Sequence, residues 1–187
     1  MSVDLTRELE ARGAVLEGHF KLSSGRHSNR FVQKFRILED PKLVELVARQ
    51  IAAAFESEKP NIVVSAAVGG IILGYEVARA LGTKAIFAEK ENGVPVLRRN
   101  FSLGKDDRAL IVEDVVTTGG SVREVLDLVR ARGAQATGVG VIVRRAPADF
   151  GVKTLALLDL PIESFDPENC AQCARGEPVM DPGSRRA

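Results

Sequence analysis

Glu113 and Asp114 stand side by side in Leu110-Ile111-Val112-Glu113-Asp114-Val115-Val116-Thr117-Thr118-Gly119-Gly120-Ser121. An apolar strand runs into two acids, then into a loop of Thr, Gly and Ser, and a helical pattern follows. Small residues at 117–121 let backbone N–H groups approach an anion closely. The helix behind them points its positive end at the same place. That is a cradle for a monophosphate. It lacks the Lys of a G-x-x-x-x-G-K-[ST] loop and the spacing G-x-G-x-x-G, which argues against nucleoside triphosphates and dinucleotides. A carboxylate beside a bound phosphate is repulsive unless it does something else, and accepting hydrogen bonds from ribose 2′- and 3′-hydroxyls is such a task. A phosphate cradle beside a diol clamp describes a ribose 5-phosphate. An acidic helix cap would account for one carboxylate near a helix start. It would not account for two acids about seven residues ahead of it.

The elements that must position this loop can be read on either side of it. Leu43, Val47 and Ile51 recur at helical spacing over residues 42–55, with Pro41 suited to the first turn. Residues 62–64 read as a short buried strand. Gly69-Gly70 then open a second helix over 71–81, closed by Gly82. Residues 85–88 and 109–112 read as strands, with 109–112 the clearest. A third helix spans about 121–132, and residues 139–143 and 155–158 are further strands. Residues 89–107 are polar, with Asn92-Gly93 marking a turn. Strands alternating with helices, in apolar runs too continuous for one wet face, indicate an α/β fold. Its mainly parallel central sheet carries helices on both faces, and ligands bind at the carboxyl ends of such strands. The first 40 residues break the alternation and read as a small irregular hood over one sheet edge. The tail 178–187 is expected to fray.

The chain has 187 residues, 45% of them hydrophobic, in the globular range for one domain. The expected division is a core of about 41–160 and a hood of about 1–40 joined by the C-terminal segment. With 26 basic and 25 acidic residues the net charge is +1, which gives no general pull toward nucleic acid or an anionic membrane. No stretch approaches a membrane span. Asp4, Glu8 and Glu10 leave no signal-peptide core near the N-terminus, so a cytoplasmic location is the default. Cys170 and Cys173 form one C-x-x-C. A structural zinc needs about four ligands, and no second pair is present. Reduced structural thiols are the simplest reading, and a zinc site completed by other residues or another subunit is the alternative.

The stretch 110–121 closely resembles the motif by which type I phosphoribosyltransferases bind 5-phosphoribosyl 1-diphosphate (PRPP). The order of elements fits that family's core with its small hood, so the likeness covers nearly the whole chain. Within the family, Gly18-His19-Phe20-Lys21-Leu22-Ser23-Ser24-Gly25-Arg26-His27-Ser28 resembles the F-x-L-x-S-G-x-x-S segment of orotate phosphoribosyltransferases. Gly13-Ala14-Val15 also resembles that group. The resemblance implies transfer of a phosphoribosyl group from PRPP to orotate, with Mg²⁺ held mainly by PRPP and water and no direct protein ligand. It also implies a homodimer. Carried over residue by residue, Glu113 and Asp114 hold the ribose hydroxyls. Val115, Val116, Thr117, Thr118, Gly119, Gly120 and Ser121 complete the PRPP loop. Phe31 and Val32 of the hood, Thr117 and Arg145 fall at the orotate site, where a planar guanidinium suits a carboxylate. Arg145 as a solvated charge at a strand end is the plainer reading. Lys90, Arg98 and Arg99 are the candidates for the diphosphate, and Lys90 and Asp114 for catalysis.

The chain also departs from the family pattern. Ser23 and Gly69 stand where many orotate enzymes have Lys, and Glu89 stands where their mobile loop has Arg. That loop's later Lys and His are absent, which implies a shortened-loop variant. His19 and His27 do not match the loop histidine and are expected to be structural or surface residues. A purine phosphoribosyltransferase would share the PRPP loop with a different hood. A PRPP-sensing regulator of the same fold would need a nucleic-acid-binding face, of which this chain gives no evident sign.

Overall fold

The computed structural model describes residues 4–22 and 24–182, which leaves residues 1–3, Ser23 and residues 183–187 outside the described chain. The first 40 residues are more regular than expected. Helix α1 (Leu5–Ala11) starts at Asp4, whose carboxylate accepts from the Arg7 N–H at 3.2 Å. Strands β1 (Val15–Lys21) and β2 (His27–Val32) then pair antiparallel, Leu16 opposite Phe31 and Lys21 opposite His27. Scattered Gly, Ser and Arg obscured the alternation, because only part of each strand is buried. A short helix α2 (Phe35–Leu38) leads into α3 (Pro41–Phe55), where Asp40 caps the first turn and Pro41 opens it.

The core follows as β3 (Ile62–Ala66), α4 (Gly69–Leu81), β4 (Lys84–Glu91), β5 (Val94–Leu97), β6 (Arg108–Val116), α5 (Gly120–Ala131), β7 (Gln135–Arg144), β8 (Thr154–Asp159) and the short α6 (Ala171–Ala174). Six strands form one sheet in the order β5-β4-β3-β6-β7-β8, parallel throughout except for β5. Successive side chains of a strand face opposite sides, and the core divides accordingly. Val63, Leu110 and Val112 pack with α1, α3 and α4, whereas Ile62, Val64, Ala109 and Ile111 pack with α5 and Phe150.

Two regions differ from the expectations drawn from sequence. Residues expected to form a polar connection build a hairpin, with β4 running on to Glu91 and β5 returning through Asn92-Gly93. Both turn residues have positive φ, 51° and 83°, the geometry of a two-residue type I′ turn that Asn-Gly favours. The strand pattern was hidden because this edge is largely exposed and carries charges. The tail expected to fray is bonded at Met180, whose N–H donates to the His19 carbonyl while its own carbonyl accepts from the Lys21 N–H. The chain after β8 therefore runs back onto the β1–β2 pair. No helix among the described residues is long and apolar enough to cross a membrane.

Candidate active site

The sheet order reverses direction between β3 and β6, since β4 lies on one side of β3 and β6 on the other. Ligands of open α/β sheets bind outside the strand ends at such a point. The loops there are the turn from β3 into α4 and residues 117–119 between β6 and α5. The acids do not follow β6, as expected, but lie within it. The ladder with β7 continues through Val116 opposite Arg144, and it fixes Glu113 and Asp114 as parts of a rigid strand.

Both acids are buried, Glu113 at 8% and Asp114 at 2% exposure. Burial pushes the Glu113 carboxyl up to about 8, and the adjacent Asp114 charge adds to the effect. Glu113 Oε1 accepts from the Asp114 N–H at 3.1 Å, and Asp114 Oδ1 from the Val115 N–H at 2.6 Å. Asp114 Oδ2 lies 2.8 Å from Lys34 Nζ. Sequence reasoning missed Lys34, because the contact joins positions 80 apart and no local pattern signals it. The same geometry explains a departure from the family pattern. A Cβ on Gly69 would overlap Asp114 Oδ2 and approach Lys34 Nζ at 2.8 Å, so a side chain there would have to displace this pair.

Helix α5 begins behind Gly119, which has φ +80° and supplies no capping side chain. Its first N–H groups lack intrahelical acceptors by construction, and none is covered by a cap. Arg123 Nη1 donates to the Thr118 carbonyl at 2.6 Å, and the guanidinium lies over the Phe150 ring at 5.3 Å. Arg123 and Phe150, which the motif does not include, brace the cradle from behind. A Cβ on Gly119 would meet Phe150 at 2.8 Å and Arg123 at 2.9 Å.

Arg145 is buried rather than solvated at a strand end. Its N–H donates to the Val116 carbonyl at 2.8 Å, which sets it beside the first residue of the loop, Thr117. Arg144 is taken up by Asp159, at 2.6 and 2.9 Å. Among the described residues Arg145 is joined to no carboxylate, and its Nε has no hydrogen-bond partner. Burial lowers its hold on the proton. It lines a cleft of about 530 Å³ with residues 146–149 and Pro161. A buried guanidinium without a counterion is costly unless an anion completes it.

The hood residues reach the same end of the sheet. Phe31 and Val32 close β2, with Phe31 tilted against Phe20 at 5.8 Å, and two residues later the chain delivers Lys34 to Asp114. Lys90 lies at the first turn of α5, 2.7 Å from Glu124. Arg99 pairs doubly with Glu89 and sits over the Phe87 ring, and Arg98 pairs with Glu91 at 3.3 Å. The three hairpin cations are thus held by neighbouring acids. Such exposed pairs contribute roughly 0–1 kcal/mol each. His19 and His27, expected as structural or surface residues, are both buried, and each approaches Cys173 within 3.7 Å.

Comparison with known proteins matches this arrangement. Residues 35–153 match the family described as phosphoribosyl transferase domain. The orotate phosphoribosyltransferase of Pelotomaculum thermopropionicum is 51% identical over 93% of this chain and 93% of its own. That of Carboxydothermus hydrogenoformans is 47% identical over 98% of both. Among solved structures, orotate phosphoribosyltransferase from Aeropyrum pernix superposes with a TM-score of 0.70 at 26% identity, over 83% of this chain and 93% of that one. Adenine phosphoribosyltransferase from Thermoanaerobacter pseudethanolicus shares the fold at 18% identity and a TM-score of 0.62, over 70% of this chain and 88% of that one. By identity and coverage together, this chain belongs to the orotate phosphoribosyltransferase family.

Proposed function

We infer that the chain transfers the 5-phosphoribosyl group of PRPP to orotate, giving orotidine 5′-monophosphate and diphosphate in pyrimidine biosynthesis. The observation that carries the site assignment is the buried pair Glu113–Asp114 on β6, beside the uncapped start of α5. The α5 amides and residues 117–121 hold the 5′-phosphate. Glu113 and Asp114 hold the ribose hydroxyls, with Lys34 steadying Asp114. Arg145 receives the orotate carboxylate, with Thr117 and the backbone of Phe31 and Val32 placing the ring. Lys90, Arg98 and Arg99 exchange their acids for the diphosphate.

The bond from C1′ to diphosphate breaks ahead of attack, so oxocarbenium-like charge develops on the ribose, as in glycoside chemistry. The protein's work is to position both partners and to stabilise the leaving diphosphate. Glu113 favours its protonated form and Asp114 is already paired with Lys34. Neither is a spare ligand for an all-protein cage, which fits Mg²⁺ held mainly by PRPP oxygens and water. When bound, Mg²⁺ neutralises diphosphate charge.

The β1–β2 pair with the C-terminal segment acts as the hood, residues 41–160 as the core, and the whole chain as one domain. A homodimer in the cytoplasm completes the reading. Val68, Ile72 and Tyr75 of the α4 region and Leu46 of α3 are exposed apolar side chains, a patch suited to a second copy. Incubation with PRPP, Mg²⁺ and one base at a time tests the activity. Orotate absorbance is expected to fall, with diphosphate released. Turnover of adenine in place of orotate would overturn the assignment.

A further inference from the structure

His19 on β1, His27 on β2, Cys170 at the N-cap of α6 and Cys173 within that helix converge on one point. Cys170 and Cys173 come from about 150 residues further along the chain. His19 Nε2, His27 Nδ1 and the two Sγ atoms all lie within 4.8 Å of one another. Four edges of this group measure 2.9 Å from nitrogen to nitrogen and 3.2, 3.4 and 3.7 Å from sulfur to nitrogen. A tetrahedral zinc with Zn–N of about 2.05 Å and Zn–S of about 2.3 Å needs edges of about 3.3 Å and about 3.5 Å. The four atoms therefore already stand near the corners such an ion requires.

The remaining chemistry agrees. His19 Nδ1 lies 3.0 Å from the Glu177 carbonyl, which can only accept. The proton belongs on Nδ1, and the lone pair of Nε2 faces the cluster, as for a metal-ligating imidazole held by an outer carbonyl. Both cysteines are free thiols, and His19, His27 and Cys170 are buried. Two thiolates and two neutral imidazoles cancel the charge of a divalent ion, so the filled site carries no net charge into this interior. Four protein ligands leave no open position, which makes the site structural rather than catalytic.

We propose that His19, His27, Cys170 and Cys173 bind one zinc ion, which fastens the C-terminal segment to the β1–β2 hood. The hydrogen bonds around it mark the same junction. His27 and Phe165 exchange backbone bonds, Ser28 Oγ donates to the Glu163 carbonyl at 2.7 Å, and Met180 is bonded on both sides to β1. The ion would thus brace the strand that carries Phe31 and Val32, without touching substrate. Binding forms two Zn–S and two Zn–N bonds and releases the two thiol protons to solvent.

Untagged full-length protein, purified under reducing conditions without chelator, is expected to contain about one zinc per chain. After zinc removal, titration with Co²⁺ reads the site directly. A thiolate charge-transfer band and the visible bands of tetrahedral cobalt should appear, saturating at about one equivalent. C170S and C173S should each abolish that charge-transfer pattern. If those variants fail to fold, the wild type still decides the matter. Cys170 and Cys173 are the only cysteines of the chain, so bound Zn²⁺ should protect both from alkylation and a chelator should expose both. Reduced protein that takes up Co²⁺ without a thiolate band, or alkylates equally with and without Zn²⁺, would overturn the proposal. So would a Cys170–Cys173 disulfide in metal-free protein that no Zn²⁺ addition to the reduced form replaces.

Discussion

Glu113 and Arg145 are the residues whose environments most depart from those their types prefer. An acid whose folded pKa is raised from 4.5 to about 8 binds its proton more tightly in the native state than in the unfolded one. Its contribution is complete below about pH 4.5 and is lost as pH rises through about 8. Wild-type stability should therefore decline across that window relative to Glu113→Gln, as read from urea midpoints at several pH values. Parallel curves for the two proteins would refute this. Arg145 has the opposite problem, a buried cation joined to no carboxylate among the described residues. Arg145→Gln should raise KM for orotate by about 30-fold, corresponding to ~2 kcal/mol for a charged hydrogen-bonding contact. KM for PRPP should change little. Because no ion pair is broken, the melting temperature should not fall, which separates loss of an orotate contact from loss of structure.

At the scale of elements, the β6–α5 turn and the β4–β5 hairpin hold the two ends of the proposed PRPP site. Gly119 combines φ +80° with a wall formed by Phe150 and Arg123. Gly119→Ala should cost about 1–3 kcal/mol of local strain and raise KM for PRPP, while orotate binding by Arg145 persists. An unchanged KM for PRPP would mean that the turn does not form the cradle. On the hairpin, Lys90 is held by Glu124 across to α5 in an exposed pair. Lys90→Ala should leave the melting temperature nearly unaltered, since such pairs contribute little. It should lower kcat by about 100-fold if the lysine stabilises the leaving diphosphate. Steady-state kinetics beside a thermal melt distinguish these two effects.

Over the whole molecule, a group of exposed apolar side chains lies on the α3–α4 side, away from the helix α5 that covers the opposite face. Tyr75 is 66% exposed there, and Val68 and Ile72 flank it. Tyr75→Glu should convert a dimer into monomers, measured as molar mass by light scattering on size-exclusion fractions. A monomeric wild type would remove the homodimer from the proposal.

The alternation of apolar runs with helical spacing was enough to identify the parallel core, because buried strands and amphipathic helices write their periods locally. Glu113 to Ser121 was legible for the same reason, since strand, acids, loop and helix are consecutive in sequence. The β1–β2 and β4–β5 pairs were not, because half-exposed edges lack a continuous apolar signal. Helix and strand limits also moved by one to a few residues, most consequentially at β6, where the ladder with β7 keeps the acids inside the strand. What the tertiary structure alone decided are the encounters between distant segments. Lys34 reaches Asp114 across 80 positions, Arg145 is sealed beside Val116, and Cys170 and Cys173 meet two histidines from the opposite end of the chain. No spacing rule encodes such meetings. They arise from the way packing of the sheet and hood brings remote backbones together and closes water out.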